Sequence, residues 1–169
     1  MWNIADTCQV CRGCCKFKKK DAYFAPLFSR EEKEKIEKTT GKKAIFSPYK
    51  NSTQVFQIKL VSSLTDKQYD VCPYLDKATH LCGIYELRPA DCRIWPMLIM
   101  KDRDGKNTRQ ACFNKDYCPI TEKMSAEEVK QYILKLKKYF TENHYDEFYR
   151  RYPGLVWDYE PDTFFIDED

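Results

Sequence analysis

The sequence predicts an α+β fold, a small single domain over residues 1–169, with short strands, irregular cysteine-bearing loops and a long C-terminal amphipathic helix. Three observations predict it. Residues 54–61, Gln-Val-Phe-Gln-Ile-Lys-Leu-Val, are β-branched and partly alternating, as a strand requires. Residues 94–100 and 108–113 flank Asp102-Arg103-Asp104-Gly105, a turn signal, and read as two partner strands. Residues 125–152 repeat apolar side chains at three- and four-residue steps, the period of an α-helix packed on one face.

Taken in order, the first twenty residues hold four cysteines and almost no core material, so they predict a loop or short turn. Ser29 followed by Glu32 is a capping-box signature that opens a charged helix over 30–40, and Gly41 stops it. Only Ile36 is strongly apolar there, so most of that helix faces water. Pro73, Pro89 and Pro96 punctuate the cysteine-bearing region that follows and leave room only for short helical turns. Pro96 inside the strand at 94–100 favours an edge position, because it lacks an N–H for a ladder. Ser125 and Glu128 form a second capping box, opening a helix whose stripe is Val129, Ile133, Leu136, Phe140, His144, Phe148 and Tyr152. The stripe reads as core, His144 included, and Pro153-Gly154 ends it. The acidic, aromatic tail at 153–169 is expected to pack back through Trp157, Phe164 and Phe165.

Composition excludes several classes. With 43% hydrophobic and 15% aromatic residues, the chain is not a disordered polypeptide. No stretch approaches the roughly 18 consecutive apolar residues of a membrane span, so no membrane insertion is expected. The N-terminus lacks an apolar h-region and a cleavage pattern, which predicts a cytoplasmic location. Net charge is +3, with Arg12, Lys16, Lys18, Lys19 and Lys20 near one end and an acidic tail at the other. The balance is too mild, and motifs too absent, for nucleic-acid binding; a protein partner or substrate stays open. The basic end has two readings: a solvated face, or cations offsetting an anionic metal–thiolate centre.

The nine cysteines carry the chemistry: Cys8, Cys11, Cys14, Cys15, Cys72, Cys82, Cys92, Cys112 and Cys118. An odd count without an export signal argues against disulfides, as does the strain of bridging neighbours Cys14 and Cys15. Buried idle cysteine explains one or two members, not four thiols in eight polar residues. Metal ligation explains the run Cys8-x-x-Cys11-x-x-Cys14-Cys15, because each C-x-x-C step lets two sulfurs converge on one centre, and Gly13 relaxes the backbone around it. All nine cysteines are therefore expected as metal ligands, with the strand at 108–113 delivering Cys112 back toward the others. Soft thiolates suit zinc or iron–sulfur, and the count fits shared-sulfur zinc or two 4Fe–4S clusters equally. His80, between Cys72 and Cys82, is placed to approach the site.

These blocks resemble the YkgJ-type CxxCxxCC cysteine-cluster family, known as zinc- or iron-chelating domains. The resemblance rests on Cys8-Gln-Val-Cys11-Arg-Gly-Cys14-Cys15, Cys72-Pro73-Tyr74-Leu75, Cys82 to Pro89, Cys92-Arg93-Ile94-Trp95-Pro96, and Cys112 with Cys118-Pro119. It covers residues 8–120. A related branch includes flagellin lysine N-methylases, associated with an iron–sulfur centre. The resemblance thus implies an iron–sulfur cofactor, one or two clusters of 4Fe–4S type, with zinc as the alternative. It does not imply methylation by this chain, which shows no glycine-rich strand–turn–helix for S-adenosylmethionine.

Around the cysteines, Arg88 and Arg93 bracket Cys92, either bonding a cluster sulfur or making structural ion pairs. Tyr85, Trp95 and Phe113 read as core or as walls of the site. No nucleophile–base pair, paired carboxylates or phosphate loop appears. Three functions remain: a structural metal module, a redox or cluster-dependent protein-modifying enzyme, and a metal carrier or sensor.

Overall fold

A computed structural model describes residues 14–42, 46–113 and 124–166. The chain is α+β and divides into two compact units, residues 1–93 and 94–169. Among the described residues no helix is long and apolar enough to cross a membrane.

The N-terminal unit holds strands β1 (Lys16–Lys18), β2 (Leu27–Ser29), β3 (Phe46–Pro48), β4 (Val55–Ile58), β5 (Val61–Ser62) and β6 (Tyr69–Val71). They form two three-stranded antiparallel sheets, ordered β1-β6-β5 and β2-β4-β3. The strand expected at 54–61 is thus two strands in two different sheets. Helix α1 (Arg30–Thr40) matches its expected bounds. Ser29 Oγ accepts from the Glu32 amide while the Glu32 carboxylate accepts from the Ser29 amide, and Gly41 ends the helix at φ 63°, the left-handed region glycine enters freely. Ile36 is fully buried, joining Phe28, Ile58, Tyr74, Ile84, Ala25 and Cys72 in one core cluster. Helix α2 (Ala90–Ile94) closes the unit.

In the C-terminal unit, β7 (Met97–Lys101), β8 (Thr108–Phe113) and β9 (Thr163–Phe165) form an antiparallel sheet with β8 in the middle. Pro96 precedes β7, an edge strand of that sheet, and the Trp95–Pro96 peptide is cis. Trp157 covers the outer edge of β7: its N–H donates to Ile99 O at 2.9 Å and its carbonyl accepts from Lys101 N at 2.9 Å. The tail therefore packs back as expected, through Trp157 and β9, but Phe164 stays 39% exposed and Ile166 is the buried residue instead.

The long helix is two helices, α3 (Ala126–Glu142) and α4 (Tyr145–Arg151). The second capping box, Ser125 with Glu128, forms as expected. The break falls at His144, whose φ of 53° is left-handed and cannot continue a right-handed helix. His144 is accordingly exposed at the start of α4, not packed in the core. The turn also changes the phase of the stripe. Tyr132, Leu136 and Phe140 are buried on α3, but Tyr149 rather than Phe148 is buried on α4.

Candidate metal centre

Four local structures bring five thiols to one cavity. The antiparallel β1–β6 ladder pairs Lys16 with Val71 and continues one step further, where Cys72 N donates to Cys15 O at 2.9 Å. The ladder thus sets Cys15 beside Cys72, and Cys14 precedes it. After Cys72 the chain turns, with Leu75 N donating to Cys72 O at 3.0 Å, and comes back so that Leu75 pairs with Cys82 in an isolated antiparallel bridge. Gly83 N donates to Tyr74 O at 2.8 Å, and a Cβ at Gly83 would lie 3.1 Å from that oxygen, so glycine permits the close approach that seats Cys82.

Cys92 comes from α2, a helix of five residues held at its start by two carboxylates. Glu32 Oε1 accepts from Ala90 N at 2.7 Å, and Asp91 Oδ2 accepts from Leu27 N at 3.0 Å. Glu32 is also the capping-box residue of α1, its Oε2 accepting from Ser29 N at 2.9 Å and Ser29 Oγ at 3.0 Å. One side chain therefore joins two helix starts. Burial pushes the Glu32 pKa up, against the pull of the Ser29 and Ala90 bonds and the Arg93 charge.

Cys14, Cys15, Cys72, Cys82 and Cys92 line the cavity with His80, Tyr85 and Arg88. Cys72 is buried, and desolvation pushes its thiol up to about 12, although the amides of Tyr74 and Leu75 aimed at its sulfur favour the thiolate. The nearby Cys15 and Cys82 add to the rise. At Cys92 the hydrogen bond from Cys14 lowers the pKa, but burial with Asp91, Cys72 and Cys82 outweighs it and the thiol stands at about 11. Like charges so close cannot all ionise unaided; a soft cation among them removes that penalty.

The donor set fits a thiophilic metal: five cysteines lining one cavity, two amides directed at one of the sulfurs, and Arg88 in the same lining. Among the described residues, Cys14, Cys15, Cys72, Cys82 and Cys92 are the ones that would hold it. Among the described residues no group of three or more His, Cys, Asp or Glu side chains forms an ion site as it stands. Cys8, Cys11 and Cys118 lie outside the described residues. Cys112 belongs to the C-terminal unit, where it is 1% exposed in β8, opposite Met97 and Phe164.

The two arginines separate. Arg93 is a structural staple, its Nε donating to Arg88 O at 2.7 Å and its Nη2 to Glu86 O. Both partners are backbone carbonyls. Arg88 stays on the cavity wall, stacked 3.8 Å over the Tyr85 ring with its Nε donating to Tyr85 O. Tyr85 is thus a wall residue, whereas Trp95 and Phe113 pack on each other at 4.8 Å in the C-terminal unit. Of the basic residues, Lys16 sits 4.0 Å over the Tyr69 ring and Lys18, Lys19 and Lys20 are exposed.

Sequence reasoning missed Glu32 and Asp91 as supports of Cys92. Glu32 reads locally as a capping residue, and its second bond reaches 58 residues along the chain.

No curated protein and no solved structure is significantly similar to the chain. The CxxCxxCC family model, described as "Putative zinc- or iron-chelating domain", matches residues 7–119. That span takes in the four structures that bring the thiols together as well as the motif cysteines, so the chain belongs to the CxxCxxCC family of metal-chelating domains.

Proposed function

We propose that the cavity holds an iron–sulfur cluster of 4Fe–4S type, its four protein ligands drawn from Cys14, Cys15, Cys72, Cys82 and Cys92 together with Cys8 and Cys11. The observation that carries this reading is the convergence of five thiols on one cavity from four separate local structures. One tetrahedral zinc and one 4Fe–4S cluster each take four protein ligands, so the choice of cluster rests on the C-x-x-C-x-x-C run, the spacing of ferredoxin-type sites. The Tyr74 and Leu75 amides directed at the Cys72 sulfur are the kind of bond that tunes a cluster.

The role that follows is structural first. Ligands just ahead of β1, on the turn after β6, at Cys82 and on α2 would be tied together by the metal, coupling folding to loading. When bound, the cluster supplies electron-transfer capacity; the chain's own contribution is to orient the thiolates, bury Cys72 and place Arg88 against their negative charge. A reducing compartment such as the cytoplasm suits this, since reduced thiols are the ligands.

The test is metal and acid-labile sulfide analysis of anaerobically purified protein, with its visible spectrum. Iron with matching sulfide and a broad brown absorbance supports the cluster. Colourless protein with stoichiometric zinc and no sulfide refutes it and leaves a structural zinc domain.

A further inference from the structure

The cavity wall carries one donor that is not sulfur. His80 lines it beside the five cysteines, and unlike Cys72 it is exposed. Its backbone is held at φ 58°, a conformation that is costly for a residue with a Cβ and free for glycine. A short, heavily bonded loop holds it there. Asp76 Oδ1 accepts from Ala78 N at 3.0 Å, from Thr79 N at 2.6 Å and from Thr79 Oγ1 at 2.8 Å, and His80 N donates to Asp76 O at 2.9 Å. Asp76 N in turn donates to Leu81 O at 2.8 Å, closing the loop just before Cys82. The turn itself is served by glycine or asparagine as well. The chain puts an imidazole there, on the solvent side of a thiol cavity.

We infer that His80 is the nitrogen donor of the centre, taking one coordination position at the mouth of the cavity through a ring nitrogen lone pair. The inference rests on the metal-binding reading above and deepens it. Neutral imidazole is a good ligand for both zinc and iron, and it adds no negative charge to a cavity already crowded with thiolates. The inner positions belong to buried or half-buried sulfurs. The outer one is then the ligand that an external base can replace, which makes this the position where the centre opens to solvent.

The test uses the full chain stripped of metal and loaded anaerobically with cobalt(II), comparing wild type, His80→Gly and His80→Asn. Glycine suits the left-handed backbone and asparagine tolerates it, so both keep the turn while removing the imidazole. Folding is checked by circular dichroism. The expected result is cobalt release to a chelator faster by about tenfold or more in both variants, with a shifted d–d spectrum. Added imidazole should restore the wild-type spectrum and rate in His80→Gly. Wild-type rates and spectra in both variants, indifferent to imidazole, overturn the assignment while leaving the thiol centre intact. A wild-type chain that takes up no cobalt and carries no metal on purification overturns both.

Discussion

Removing the Glu32 carboxylate tests whether one side chain supports both α1 and the cysteine-bearing α2. In Glu32→Ala, Ser29 N loses its acceptor, half of the capping box, at a cost of about 1 kcal/mol. Ala90 N loses its acceptor at 2.7 Å, and an amide left unpaired costs about 1–3 kcal/mol. Burial raises the Glu32 pKa, so the charge itself works against folding near neutral pH, and deleting it returns part of the loss. The net expectation is a destabilisation of about 2 kcal/mol. Glu32→Gln should lie between, since its single oxygen satisfies either Ser29 N or Ala90 N but not both. The assay is urea unfolding of metal-loaded protein followed by circular dichroism, with metal release to a chelator measured in parallel. Release should quicken about tenfold in Glu32→Ala, because α2 no longer holds Cys92 in place. If both variants unfold within about 0.5 kcal/mol of wild type and release metal at its rate, the two-helix clamp does not exist.

Other perturbations address the centre and its surroundings. Cys14→Ala and Cys92→Ala should each strip metal and lower solubility; either variant folded with full metal content by elemental analysis is not missing a ligand. Cys112→Ala should keep its metal and lose about 1 kcal/mol of stability from trimming a buried side chain in β8, read by urea unfolding. The metal-free chain should lose thermal stability as pH rises above about 9, because thiols of the unfolded state ionise there while Cys72 and Cys92, raised to about 12 and 11, hold their protons. Their contribution is full below the unfolded pKa and vanishes above the folded one, so a melting temperature that climbs from pH 9 to 11 contradicts the burial of these thiols. Gly83→Ala places a Cβ 3.1 Å from Tyr74 O and should weaken metal retention at Cys82 with little change in overall stability, measured by chelator competition.

The two capping boxes and Gly41 were legible because helix ends are written in local chemistry: a hydroxyl, a carboxylate three residues on, and a glycine free to turn left-handed. The hairpin of β7 and β8 was legible for a similar reason, through the turn at 102–105 between two apolar runs. The three-residue strands β1, β2, β3 and β6 were not, since so short a segment cannot display alternation and takes its conformation from its partner. The break at His144 escaped because that residue falls on the apolar period; periodicity reports the face of a residue and says nothing of its φ. Within the centre, cysteine identity was plain, but which cysteines share a cavity depends on pairings such as Cys15 with Cys72, 57 positions apart in chain number, roughly the span at which only topology decides.

Cys72 is at once a wall of the cavity and a member of the N-terminal core, packed among Phe28, Ile36 and Ile58. That double membership makes loading a matter of the protein's persistence. An unfilled cavity leaves short strands to hold the core unaided, and the opened chain is the form that proteases cut. The abundance of this protein should then follow the supply of its metal, rising and falling with it even at constant synthesis.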